Sequence, residues 1–180
     1  AKYVPMDENH PTNPTTTYAA GKLAADKAVI SYNKMFNIDA FIVRPFNNYG
    51  PRQPILINEI GVIPKTLKRI YSNKNPIIYG DGNQERDFIF SKDVCKILYK
   101  NLFSSNKKKE IHVNTKKFLR IMDIKKLLDD ISKNKNKLDF VPTPNGYDDK
   151  IYHKPIMKAD KNFIKKLKIT FNWYKDTLKK

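Results

Sequence analysis

Five short apolar runs alternate with stretches of helical periodicity, and this alternation constrains the fold more than any other feature of the chain. The runs are Asp39–Arg44, Pro76–Tyr79, Arg86–Phe90, Ile111–Asn114 and Leu138–Val141. Each is too short for a helix and reads as a buried strand. Between them, helices are predicted from Thr15 to about Phe36, from Ile60 to Ser72, from a cap at Asp93 to about Phe103, and from Ile121 to Ser132. The tail predicts two short helices, Asp160 to Lys166 and Asn172 to Lys179. Residues 1–13 and the segments Pro45–Pro54, Gly80–Asn83 and Pro142–Gly146 carry the turn formers and read as loops. Strand–helix alternation predicts α/β architecture. With 180 residues the chain can build one sizeable core but not two comfortable domains.

Composition narrows the function classes. No apolar run approaches membrane-spanning length, and no secretory signal is visible. The single cysteine, Cys95, excludes an intramolecular disulfide and fits a reducing cytoplasm; it lies in an apolar helical pattern and is expected to be packed. Thirty-five basic and 18 acidic residues give a net charge of +17. The lysines are spread over polar helix positions and accompany no nucleic-acid motif, so a lysine-rich surface explains them better than a nucleic-acid partner. A field of this sign still favours a phosphorylated small molecule. His10, His112 and His153 are far apart and lack metal-ligand spacing. The adjacent pairs Asp129–Asp130 and Asp148–Asp149 are poorly placed to act as an acid/base couple.

One stretch carries chemistry. In Asn13-Pro14-Thr15-Thr16-Thr17-Tyr18-Ala19-Ala20-Gly21-Lys22, Tyr18 and Lys22 stand four apart at a helix entry, so phenol and ammonium share a face. A cation beside a phenol favours the phenolate, which makes Tyr18 a candidate proton acceptor and donor. By spacing alone, a Tyr and a Lys on a solvated helix face are the better explanation of the pair. Gly21 costs that helix about 1 kcal/mol relative to Ala.

Two further blocks follow in order: Arg44-Pro45-Phe46-Asn47-Asn48-Tyr49-Gly50-Pro51-Arg52-Gln53, and Tyr79-Gly80-Asp81-Gly82 leading to Arg86-Asp87-Phe88. Together with Tyr18-x-x-x-Lys22 they resemble the extended short-chain dehydrogenase/reductases, specifically the NAD-dependent nucleotide-sugar epimerases and dehydratases. The second block is most similar to UDP-glucose 4-epimerases, with dTDP-glucose 4,6-dehydratases next. The resemblance covers residues 1 to about 115 closely and the tail loosely.

It implies that Tyr18 takes the hydroxyl proton while bound NAD takes a hydride from a sugar carbon. Lys22 would hold the nicotinamide ribose and tune Tyr18, and Pro45 and Phe46 would border the nicotinamide. Asn47, Pro64, Tyr79 and Arg86 would line the sugar-nucleotide site, with Tyr79 beside the base and Arg86 on a phosphate. For Asn47 an Asx turn before Gly50, and for Arg86 an ion pair with Glu85 or Asp87, are the simpler alternatives. The fold implied is an incomplete Rossmann-like doubly wound sheet plus a small α/β substrate-binding region. Residues 1–54 would belong to the NAD-binding part and 55–180 mainly to the substrate part, with 86–103 returning to the sheet. A homodimer through the Tyr18/Lys22 helix is also implied, as is a cytoplasmic enzyme.

Three departures accompany the resemblance. No Gly-rich turn opens onto a helix, so no phosphate cradle for NAD is present. The family's catalytic Ser or Thr would precede residue 1, and Gly21 stands where a Ser is usual. The stretch Asn145-Gly146-Tyr147-Asp148-Asp149 lacks the Arg expected as a second phosphate contact. The chain is therefore expected to be the C-terminal portion of an epimerase or dehydratase, completed by a longer chain or a separate N-terminal half. The other readings are a non-catalytic sugar-nucleotide-binding or assembly module, and a nucleic-acid binder driven by charge. Faces that the missing half would cover should be apolar.

Overall fold

The computed structural model describes residues 2–3, 6–54, 61–133, 137–144 and 159–178. Helix α1 (Thr17–Phe36) starts where Thr16 accepts a hydrogen bond from Ala19 N, an N-cap of the expected type, and ends at Asn37 in the left-handed region. An extended segment follows and changes partner part-way. Its first half, β1 (Ile42–Pro45), pairs in parallel with β5 (Glu110–Val113); its second, β2 (Asn47–Tyr49), pairs in parallel with β4 (Glu85–Phe90). Phe46 sits at the switch, its N–H donating to Val113 O at 3.0 Å. β2 falls inside the predicted Pro45–Pro54 loop: two asparagines gave no apolar pattern, and pairing with β4 makes the strand.

Three more strands complete the described sheets. β6 (Phe118–Arg120) joins β4 antiparallel, and β3 (Ile77–Tyr79) pairs in parallel with β7 (Asp139–Val141). β6 was not legible in the sequence because three residues show no period. The helices are α2 (Val62–Tyr71), α3 (Ser91–Leu102), α4 (Ile121–Ser132) and α5 (Lys161–Leu178). α5 is continuous where two short helices were predicted. Leu167, Thr170 and Tyr174, spaced three and four apart, form one buried stripe across the supposed break. Asp93 does not cap α3; the N-cap is Phe90, and Asp93, in the first turn, pairs with Lys166 of α5. Its charge still suits that helix end.

The core lies between the β2–β4–β6 sheet and helices α2, α4 and α5. Ile63, Leu67, Ile78, Ile124, Leu128, Leu167 and Tyr174 are at most 1% exposed. Each large side chain there contributes about 1.5–3 kcal/mol of apolar burial. Gly50 permits the close approach of β2 to α3. Its φ is 155°, and a Cβ would meet Ser91 Oγ at 2.1 Å. Gly82, at φ 77°, lets its turn lie against Ile78 and Met122.

A different picture holds at α1 and α3. No residue of α1 is fully buried, and Tyr18, Tyr32, Met35 and Phe36 are exposed. α3 exposes Leu98, Tyr99 and Leu102, with Phe103 just beyond it. Cys95 is exposed as well, contrary to the packed thiol expected, because the apolar side of α3 meets no covering element among the described residues. No helix among the described residues is long and apolar enough to cross a membrane.

Candidate functional site

The first turns of α1 bring Tyr18 and Lys22 together, with the Lys22 ammonium 5.7 Å from the centre of the Tyr18 ring. Tyr18 is 70% exposed, so the phenol is open to a ligand. No carboxylate pairs with Lys22 among the described residues, which leaves its donors available. Pro45 and Phe46 lie at the C-terminal end of β1, where ligands gather in parallel α/β sheets. They border a cavity of about 290 Å³ with Arg44, His112, His10 and Thr12. The Phe46 and His112 rings stand edge to face at 6.2 Å. His10 and His112, distant in sequence, thus share one wall. Even so, no group of His, Cys, Asp and Glu among the described residues is arranged to hold a metal ion.

Asn47 and Arg86 face the same side of the three-stranded sheet. Asn47 is in register with Phe88, and Arg86 precedes Phe88 by two residues, so the pleat points all three the same way. Asn47 Nδ2 donates to Asp87 O at 3.1 Å, which ties its amide to β4 instead of forming the Asx turn considered above. Arg86 Nη1 donates to Glu85 O at 2.7 Å. The Asp87 carboxylate is occupied elsewhere. It accepts from Thr115 N at 3.0 Å, Thr115 Oγ1 at 2.6 Å and Lys116 N at 2.7 Å, fixing the β5–β6 turn. Lys116 is there in the left-handed region, at φ 58°.

Tyr79 closes β3, and its hydroxyl accepts a hydrogen bond from Lys65 Nζ at 2.8 Å. That ammonium also lies 4.9 Å from the Tyr79 ring centre. Gln84 Nε2 donates to Tyr79 O at 2.6 Å and holds the strand end. Pro64 is buried within the core-facing side of α2, so its side chain packs against the protein interior. Sequence reasoning passed over Lys65, gave Arg44 no contact, and offered Asp87 only as an ion-pair partner for Arg86. Their partners are distant in sequence, and only the charge types were visible. The Asn145–Asp149 stretch and His153 lie outside the described residues.

Ionisable groups here respond to burial and to local donors. Burial, with Asp93 and Asp160 behind it, raises the Tyr49 phenol well above its ordinary value of 10.0. The backbone N–H of His112 donates to Glu8 at 2.9 Å and lowers that carboxyl below 4.5. Partial burial works against the Arg44 guanidinium, but Asp26 and Glu110 more than offset it and leave its pKa raised.

The family model for the NAD dependent epimerase/dehydratase family matches residues 1–114, which is more than half of the chain. The chain belongs to that family. A Methanocaldococcus jannaschii protein, named provisionally a UDP-glucose 4-epimerase, is 42% identical over 109 residues; the match covers 61% of this chain and 34% of that protein. A human dTDP-D-glucose 4,6-dehydratase is 36% identical over 91 residues, covering 51% of this chain and 25% of its own length. The fold matches that of a UDP-N-acetylglucosamine 4-epimerase from Methanobrevibacter ruminantium M1, solved in complex with UDP-N-acetylmuramic acid. The TM-score is 0.84 at 25% identity, covering 97% of this chain and 58% of that one. The chain therefore spans about a quarter to a third of these two sequence relatives and somewhat over half of the solved structure. The mixed α/β architecture is the one that the alternation of runs implied, and its parallel pairing is Rossmann-like, as the resemblance implied.

Proposed function

We propose that this chain supplies the Tyr/Lys pair and the sugar-nucleotide-binding surface of an NAD-dependent nucleotide-sugar 4-epimerase. It would work when joined to a Gly-rich NAD-binding half, in a longer chain or as a separate polypeptide. The observation that carries the proposal is the convergence of Tyr18 and an ammonium without a carboxylate partner, one turn apart on an open helix face. Bound NAD would supply reversible hydride acceptance at a sugar carbon. Tyr18 would hold the proton of that carbon's hydroxyl and return it after the sugar presents its other face. Lys22 would donate to the nicotinamide ribose, and Pro45 and Phe46 would form the apolar wall beside the ring. Asn47 and Arg86 would meet the diphosphate from one face of the sheet, where a planar fork of donors suits the anion. Tyr79 would lie beside the base. Pro64 would set the start of α2 from within the core. The domain division at residue 54, with 86–103 belonging to the NAD-binding sheet, is part of this reading.

Its test is a completed enzyme carrying Tyr18→Phe, which should lose turnover while keeping sugar-nucleotide binding by calorimetry. Near-normal turnover would remove Tyr18 from the mechanism. Lys22→Ala should weaken NAD binding and slow the reaction. The similarity to dehydratases favours a second reading, loss of water from a dTDP-sugar, and a panel of sugar nucleotides separates the two by product. Absence of a Gly-rich coding segment upstream, together with no NAD binding, would favour a non-catalytic module. The exposed apolar side of α3 fits a contact with the NAD-binding half, and the outer face of α1 fits a second copy. A monomer at high concentration in sedimentation would count against the α1 dimer.

A further inference from the structure

α1 presents Tyr18 and Lys22, yet no apolar core fixes its rotation. Its half-buried stripe is Ala19, Leu23, Asp26, Val29, Ile30 and Asn33. The two polar members carry its directed contacts. Asn33 exchanges hydrogen bonds with the backbone of Ala40, just beyond the helix. Asp26 Oδ2 meets Arg44 Nε of β1 at 2.7 Å. The same guanidinium places Nη2 at 2.8 Å from Glu110 Oε2 and Nη1 at 3.1 Å from His112 Nε2, both on β5. All of its arms are engaged, so one planar group joins the helix to both strands of the sheet. His112 in turn stands against Phe46, and Phe46 borders the cavity.

We propose that Arg44 is a positioning residue that sets the rotation of α1, and with it the direction in which Tyr18 and Lys22 are presented relative to Pro45 and Phe46. The catalytic consequence rests on the epimerase reading above; the clamp itself does not. Asp26 lies eight residues past Tyr18, about 12 Å along the axis, so the clamp acts through helix rigidity and not by contact with the reacting group. The pairs are partly shielded from water, which keeps them stronger than exposed ion pairs. A lysine could reach one of the three partners but could not fork to all of them.

The test is hydrogen exchange on the full chain, comparing wild type with Arg44→Met, Asp26→Asn and Arg44→Lys. Arg44→Met keeps most of the stem volume, and Asp26→Asn is isosteric, so at least one of them should fold. Amides of α1 should exchange about ten-fold faster in both, while α2, α4 and α5 stay within about two-fold of wild type. The double variant should be no looser than either single one, and Arg44→Lys should be intermediate. In the completed enzyme, Arg44→Lys should lower kcat about ten-fold with the sugar-nucleotide KM unchanged. Unchanged α1 exchange, or parallel loosening of every element, overturns the clamp. Loosened α1 with undiminished kcat overturns the positioning role, provided Tyr18→Phe is inactive. Full turnover by Tyr18→Phe instead sinks the epimerase reading, whereas the exchange data judge the clamp independently.

Discussion

The two halves of the described structure are held by different forces. Around β2, β4 and β6, helices α2, α4 and α5 bury a continuous apolar core. Around β1 and β5, α1 contributes no fully buried residue and is tied by Arg44, Asp26 and Asn33. The first region has its partners within the chain. In the second, Tyr18, Tyr32, Met35 and Phe36 of α1 stay outside, as a surface awaiting cover would. Chemistry and stability are thus separated: the candidate proton carrier rides on a helix with no fully buried residue.

Four experiments test this contrast. Leu128→Ala, at a position with 0% exposure, should cost about 3–4 kcal/mol in denaturant melts. A loss under 1 kcal/mol would mean that the apolar core is less decisive than described. Asp87→Ala strands the Thr115 and Lys116 donors and should cost about 2–3 kcal/mol, with exchange rising at the β5–β6 turn.

Tyr174→Phe removes the hydrogen bond from its hydroxyl to Gln53 O and should cost about 1 kcal/mol near neutral pH. Burial raises the Tyr174 phenol from 10.0 to about 12, so the folded state keeps its proton longer than the unfolded chain. The advantage of wild type over Tyr174→Phe should therefore be constant below pH 10 and shrink as pH rises from 10 to 12. A gap that widened over that range would reverse the assignment. Smallest of all, Met35→Ser on α1, at 76% exposure, should change stability by no more than about 0.5 kcal/mol. If the α1 dimer forms, the same substitution should weaken it in sedimentation.

Much of the fold was legible. α4 spans Ile121–Ser132, as its amphipathic period indicated, and the β3, β4, β5 and β7 runs fall within a residue of their strands. What escaped was set by partners instead of period. β2 and β6 have three residues each and exist because β4 offers hydrogen bonds on both sides. Cys95 sits in an apolar pattern, but a pattern cannot say whether a covering surface is there. At the candidate site, the Tyr18–Lys22 proximity followed from helical spacing, whereas the Lys65–Tyr79 contact joins residues 14 apart.

Local residue order was enough to set the succession of elements, the one-turn approach of phenol and ammonium, and the three blocks that mark the family. These depend on neighbours within a turn or a strand, where geometry is fixed by the backbone. Tertiary structure alone decided which faces are covered, that Asp87 braces a turn, and that Arg44 reaches His112 across 68 positions. Such contacts form only when distant strands pair, and no local period encodes which charge will meet which.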